Sequence, residues 1–152
     1  MKVLSMEIAV LALGCFWGPE KKFGQINGIL KTEVGYCGGH NSTTTYKEVC
    51  SGNSGHAEVV KLEYDPSIIS YNEIIETFFK IHDPTTLNSQ GPDFGTQYRS
   101  EIFYHNEEQK KIAKEVLNQI DKQLNGKVVT KISEIKNYCK AEEYHQNYLE
   151  KN

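Results

Sequence analysis

Cys15 stands in Gly14-Cys15-Phe16-Trp17-Gly18, between an apolar run and Pro19. Proline suits the first turn of a helix. The thiol is therefore expected at a strand-to-helix turn, close to a helix N-terminus. Unpaired amides and the helix dipole there stabilise a thiolate and lower its pKa. Lys21 and Lys22 would strengthen that field. A cysteine can also be a small buried hydrophobe, but a strand–break–helix position between two glycines favours a nucleophile. Phe16 and Trp17, the sole tryptophan, follow at once and can wall an apolar pocket or pack in the core.

Glu58 is the second reactive candidate. In the strand expected over 57–64, Glu58, Val60, Leu62 and Tyr64 share one face. Lys61 and Glu63 mark the other face as the wetter one. A carboxyl on the apolar face has a raised pKa and can act as a general acid near neutrality. The competing reading is a glutamate at a strand end already open to water. Nine tyrosines are many for 152 residues, and Tyr36, Tyr46 and Tyr98 lie in glycine-bearing segments where a hydroxyl can donate to a polar oxygen. The five histidines show no His-x-x-x-His spacing and the four cysteines no Cys-x-x-Cys, so no metal site is expected.

The elements that must hold these groups follow from periodicity. Residues 3–13 read as a strand covered on both faces. A helix follows from Pro19 to about Ile26, then strands over 29–36 and 57–64, the latter stopped by Asp65-Pro66. Ser70-Tyr71-Asn72-Glu73 has capping-box spacing and opens a helix to about Ile81. Residues 82–98 read as a long functional loop. A short strand over 100–104 precedes a helix capped by Asn106 and ended by Asn125-Gly126. A last strand is expected over 127–132 and weak helix over 141–150. Such alternation fits an α+β, two-layer sandwich of the split β-α-β, ferredoxin-like type with a mixed sheet, in one domain over 1–152.

Composition narrows the partners. The net charge of −3 lacks the basic face that sequence-independent nucleic-acid binding needs. No apolar run approaches the roughly 20 residues of a membrane span. Met1-Lys2 and the apolar run ending at Cys15 resemble a lipoprotein leader only in outline, because Glu7 interrupts it and Leu13 stands where a small residue is usual. The expected location is the cytoplasm.

Gly14-Cys15-Phe16-Trp17-Gly18 resembles the signature of the peptide methionine sulfoxide reductase A family. Gly35-Tyr36-Cys37-Gly38-Gly39, Tyr46-Lys47-Glu48-Val49-Cys50-Ser51-Gly52, Gly55-His56-Ala57-Glu58 and His82-Asp83-Pro84 resemble further family segments in the same order. So do Gly95-Thr96-Gln97-Tyr98-Arg99-Ser100 and Ala141-Glu142-Glu143-Tyr144-His145-Gln146. The resemblance runs from about residue 7 to 151 and implies an α+β sandwich. It implies reduction of the S epimer of methionine sulfoxide, free or in proteins, with Cys15 as nucleophile and Glu58 as acid. Tyr46 and Tyr98 would donate to the sulfoxide oxygen, Phe16 and Trp17 would hold the substrate methyl, and Asp93 would help to bind substrate. The product on Cys15 would be a sulfenic acid, reduced before the next turnover.

Many family members carry a glycine-rich tail with resolving cysteines, and the sequence ends at Asn152 without one. A one-cysteine mechanism is therefore expected, with no cofactor and an external thiol reductant, glutathione with glutaredoxin ahead of thioredoxin. The alternative is an internal resolving cysteine, Cys139 or Cys37. A thiol peroxidase and a non-enzymatic module binding oxidised methionine are the competing classes of function.

Overall fold

The computed structural model describes residues 6–151. The first three residues of the strand expected over 3–13 lie outside them. Eight strands and five helices follow in chain order among the described residues: β1 (Glu7–Leu13), α1 (Trp17–Gly24), β2 (Ile29–Cys37), α2 (Tyr46–Cys50), β3 (Ala57–Tyr64), α3 (Tyr71–Lys80), β4 (Ser89–Gln90), β5 (Asp93–Phe94), β6 (Ser100–Tyr104), α4 (Glu107–Gln123), β7 (Lys131–Glu134), β8 (Cys139–Lys140) and α5 (Tyr148–Lys151).

Six strands form one mixed sheet in the order β7-β6-β1-β3-β2-β8. Among the described residues only β6 and β7 pair in parallel. β3 lies between β1 and β2 and is antiparallel to both, so β1-α1-β2 is the split β-α-β unit that the alternation predicts. β4 and β5 form a separate two-stranded hairpin inside the segment read as a loop.

Alternation along the strands divides the core into two sides. Ala9, Leu11, Leu13, Val60, Leu62 and Tyr64 face α1, α3 and α4, whose Phe23, Ile74, Ile75, Phe78, Ala113 and Val116 complete the larger cluster. Val10, Ala12, Cys37, Ala57, Val59 and Phe103 face the other way, where Ile8, Ile135 and Tyr138 pack on them. The helices thus cover one face of the sheet, the two-layer arrangement expected from the sequence. A smaller cluster of Phe16, Val34, Tyr36, Val49 and Ala141 sits beside the larger one and carries the site.

Local chemistry accounts for the boundaries. Ser70 and Glu73 form a reciprocal capping box at α3. Asn106 accepts from the Gln109 amide and caps α4, and Asn125 and Gly126 end it with φ of 58° and 76°. Residues 127–130 lie outside any strand, so the strand expected over 127–132 is Lys131–Glu134. The Val128 amide is taken by Asp121 and the Val129 amide by the Pro84 carbonyl, so those donors are satisfied off the sheet. No helix among the described residues is long and apolar enough to cross a membrane.

Candidate active site

β1 delivers Cys15 to the rim of the sheet. Gly14 turns the chain with φ of 94°, and Gln90 of β4 packs so close that a Cβ at Gly14 would lie 2.8 Å from its Cγ. The Gln90 side chain in turn holds the Asp83 amide and carbonyl at 2.9 and 2.8 Å. Helix α1 begins at Trp17 with Phe16 as its N-cap residue, two residues before Pro19. Pro19 still falls in the first turn, where its missing amide hydrogen has no intrahelical role.

Phe16 is buried, and its amide donates to Glu58 Oε1 at 3.2 Å. That bond places the Glu58 carboxyl against the residue that follows Cys15. Glu58 is 1% exposed and lies on the same sheet face as Val60, as the alternation predicts. Burial pushes its carboxyl up to about 8, the Phe16 amide opposing and Asp93 adding to the shift. At neutral pH Glu58 is mostly a neutral acid.

Cys15 departs from expectation. Its thiol is half-buried, and desolvation pushes it up to about 11 against the Trp17 amide, which bonds the sulfur and lowers it. Glu58, Asp93 and Cys50 push it further up. The helix N-terminus does act on the sulfur, through its first amide, but burial outweighs it. Lys21 and Lys22 occupy exposed positions on α1.

The other candidates converge on the same place. Tyr46 begins α2, which is capped by Thr45 accepting from the Glu48 amide. Tyr46 and Tyr98 both feel the charge of Glu58, and Tyr98, pushed up to about 12 chiefly by burial, also feels Cys15 and Asp93. Asp93, on β5, acts on Cys15, Glu58 and Tyr98. Phe16 is fully packed, whereas Trp17 keeps a partly open face.

The structure does not bring Cys37 to this pocket. It is buried on the opposite sheet face, and its thiol donates to the Lys136 carbonyl at 3.3 Å. Cys139 pairs with Tyr36 across β8, so Tyr36 and β2 separate it from Glu58 on β3. Cys50, one turn after Tyr46, takes a hydrogen bond from the Tyr46 hydroxyl.

Three further groups complete the site, and no spacing announced them. Glu142 accepts from the Tyr36 hydroxyl at 2.7 Å and from the Tyr46 amide at 2.9 Å, so it fixes both tyrosines. His145 accepts from the Trp17 indole N–H at 3.2 Å. Tyr148 stacks on that indole, centroids 3.9 Å apart. All three come from the C-terminal segment, whose turns are too short for a hydrophobic period to show. The resemblance of residues 141–146 to a family segment was the available signal.

A thiol, a neutral carboxylic acid, two phenols and an aromatic wall thus meet in one place. The family described as Peptide methionine sulfoxide reductase matches residues 7–152. The chain is 68% identical over 146 residues to "Peptide methionine sulfoxide reductase MsrA" of Pelagibacter ubique, covering 96% of this chain and 99% of that one. It is similar to Mxr1 of Saccharomyces cerevisiae in reduced form, with TM-score 0.94, 42% identity, and 99% and 88% of the two chains covered. Mxr1 in complex with Trx2 is similar at TM-score 0.69 and 28% identity, with 97% and 87% covered. The chain belongs to the peptide methionine sulfoxide reductase A family and is an oxidoreductase that reduces methionine sulfoxide.

Proposed function

We propose that one catalytic domain, residues 1–152, reduces the S epimer of methionine sulfoxide, free or in proteins, through a sulfenic acid on Cys15. The observation that carries this reading is the hydrogen bond from the Phe16 amide to Glu58, which holds a neutral acid beside the nucleophile. Glu58 protonates the sulfoxide oxygen, making the sulfur electrophilic. Tyr46 and Tyr98 donate to the same oxygen, and Phe16 and Trp17 hold the methyl group, with Asp93 on the rim. The Cys15 sulfur attacks the sulfoxide sulfur, and the oxygen passes to Cys15 as a hydroxyl. The thioether leaves, and the thiol proton restores Glu58. The substrate sulfur is reduced by two electrons, and Cys15 is oxidised by two.

In this route a thiol from outside the chain attacks the sulfenic acid, forming a mixed disulfide and water, and a second thiol releases Cys15. One catalytic cysteine suffices. The burial of Cys37 on the opposite sheet face, and the position of Cys139 two strands from Glu58, support external recycling. The likeness to Mxr1 bound to Trx2 favours a thioredoxin-type dithiol, with glutathione and glutaredoxin as the alternative donor. Four free cysteines suit a reducing compartment such as the cytoplasm.

The test is turnover of separated S and R methionine sulfoxide with excess dithiothreitol, for wild type and Cys15→Ser. Methionine from the S form alone, lost on substitution, is the expected result. Equal turnover of both epimers, or activity in Cys15→Ser, overturns the reading. Peptide mapping after one turnover without reductant should show dimedone-reactive Cys15. A Cys15–Cys50 disulfide would place recycling inside the chain.

A further inference from the structure

We propose that His145 is a positioning residue for the substrate pocket: its neutral ring, fixed as the Nε2–H tautomer, anchors the Trp17 indole. The proposal rests on the reading of Trp17 as a wall of that pocket. The Trp17 Nε1–H donates to His145 Nδ1 at 3.2 Å across 128 residues of sequence. An indole nitrogen only donates, so Nδ1 must present a lone pair and the ring proton must sit on Nε2. Nε2 is buried and has no hydrogen-bond partner among the described residues. His145 is 2% exposed, and its ring packs 5.3 Å from Phe16, 4.5 Å from Tyr46 and 4.2 Å from Tyr144. A buried donor left unsatisfied is costly and needs a reason. Here the Nδ1 acceptor is what the arrangement preserves.

The indole has two restraints. Tyr148 stacks on one face at 3.9 Å and 11°, which leaves sliding and in-plane rotation open. The hydrogen bond to His145 stops that rotation and fixes which edge of the indole lies beside Phe16. Protonation of His145 would set a second N–H against the indole N–H and place a cation among aromatic rings. Facing the ring are Trp17 from α1, Tyr46 from α2, and Tyr144 and Glu142 from its own segment, with Tyr148 of α5 beyond the indole. Burial pushes the imidazole below its ordinary range, and only Glu142 pulls it back. The anchored state is therefore the state at neutral pH, and acidification releases it.

The chain has one tryptophan, so its fluorescence reports this contact without catalysis. Wild-type emission should show a single transition acidic of the usual imidazole pKa of about 6.5, and KM for the sulfoxide should rise over the same range. His145→Asn keeps an acceptor near the Nδ1 position and cannot titrate, so it should abolish the transition and hold KM within about threefold of wild type. His145→Phe keeps the ring without the acceptor and should raise KM about tenfold with kcat within about threefold. His145→Gln, which places its amide near the Nε2 position, should resemble His145→Phe. The proposal is overturned by a flat wild-type emission titration, by a transition that survives in His145→Asn, or by equal KM in the Asn and Phe variants. If His145→Phe does not fold, the wild-type and Asn titrations decide alone. Failure of sulfoxide turnover in wild type would instead strike the proposed function, leaving the fluorescence result intact.

Discussion

Burial raises both Glu58 and Cys15, with opposite consequences for the reaction. At about 8 the carboxyl is neutral where the enzyme works and can give its proton to a sulfoxide oxygen; at about 11 the thiol keeps its own until the sulfur it attacks has been activated. In the proposed route the proton-bearing form of Glu58 is the active one, so kcat should fall as pH rises through about 8. Glu58→Gln keeps the shape and removes the acid, and kcat should drop about 10²- to 10⁴-fold with KM little changed, read by steady-state kinetics on the S sulfoxide. The same shift bears on folding. The folded carboxyl holds its proton more tightly than an ordinary one at 4.5, so its stabilising contribution is complete below 4.5 and lost as pH rises through about 8. Glu58→Gln should therefore melt higher than wild type at pH 9 and flatten the stability profile between the two values. Glu58 was legible in the sequence because a strand repeats every two residues, and Lys61 and Glu63 labelled the wet face. The thiol was not legible to the same degree, because its pKa depends on how deeply the turn sinks, which spacing does not encode.

Helices with strong local signals separate stability from catalysis. Ser70 accepts from the Glu73 amide at 3.1 Å, and Glu73 returns the bond to the Ser70 amide. Ser70→Ala should cost about 1 kcal/mol, seen as a lower midpoint in urea, with kcat/KM unchanged because α3 packs in the main core and offers nothing to the pocket. That helix, its cap and α4 were all readable, since ten or more residues display a 3.6-residue period. Helix α2 has five residues and one buried side chain, Val49, too little for any period. Yet it brings Tyr46 and Cys50 to the site. The β4–β5 hairpin has two residues per strand, and it carries Asp93 and packs Gln90 against Gly14. Short elements depend on tertiary partners for their existence, so the sequence marked the hairpin only as a long segment over 82–98 with Pro and Gly, and α2 only through the family resemblance of residues 46–52. The most function-bearing pieces were the least visible for that reason.

At the scale of the whole chain, the pocket exists only if residues 15–17 meet residues 142–148. Two buried side chains make that closure. Glu20 of α1 accepts from Thr32 at 2.9 Å and from the Asn147 amide at 2.7 Å. Gln146 accepts from the Val34 amide at 2.9 Å and donates to the Val34 and Ala141 carbonyls at 2.9 and 3.1 Å, so it ties β2 to the segment after β8, where the Ala141 amide also bonds the Val34 carbonyl. Gln146→Leu keeps the bulk and strips these bonds, leaving the Val34 amide buried without a partner while the Val34 carbonyl keeps its bond from the Ala141 amide at 3.0 Å. The loss should be about 1–3 kcal/mol for the stranded amide, and it is avoidable if the segment simply detaches. Local detachment is the cheaper outcome, because the hydrogen bonds of Gln146 go to Val34 of β2 and to its own segment, not to β1, β3, α3 or α4. The expected result is a modest fall in the urea midpoint, rapid amide exchange and proteolytic nicking confined to residues 141–151, and a KM far above wild type as His145 and Tyr148 leave Trp17. A variant that instead unfolds globally, with exchange rising equally in β1 and β3, would show that the C-terminal segment is part of the core's cooperative unit. Protection retained across 141–151 with normal KM would show that Gln146 does not close the site at all.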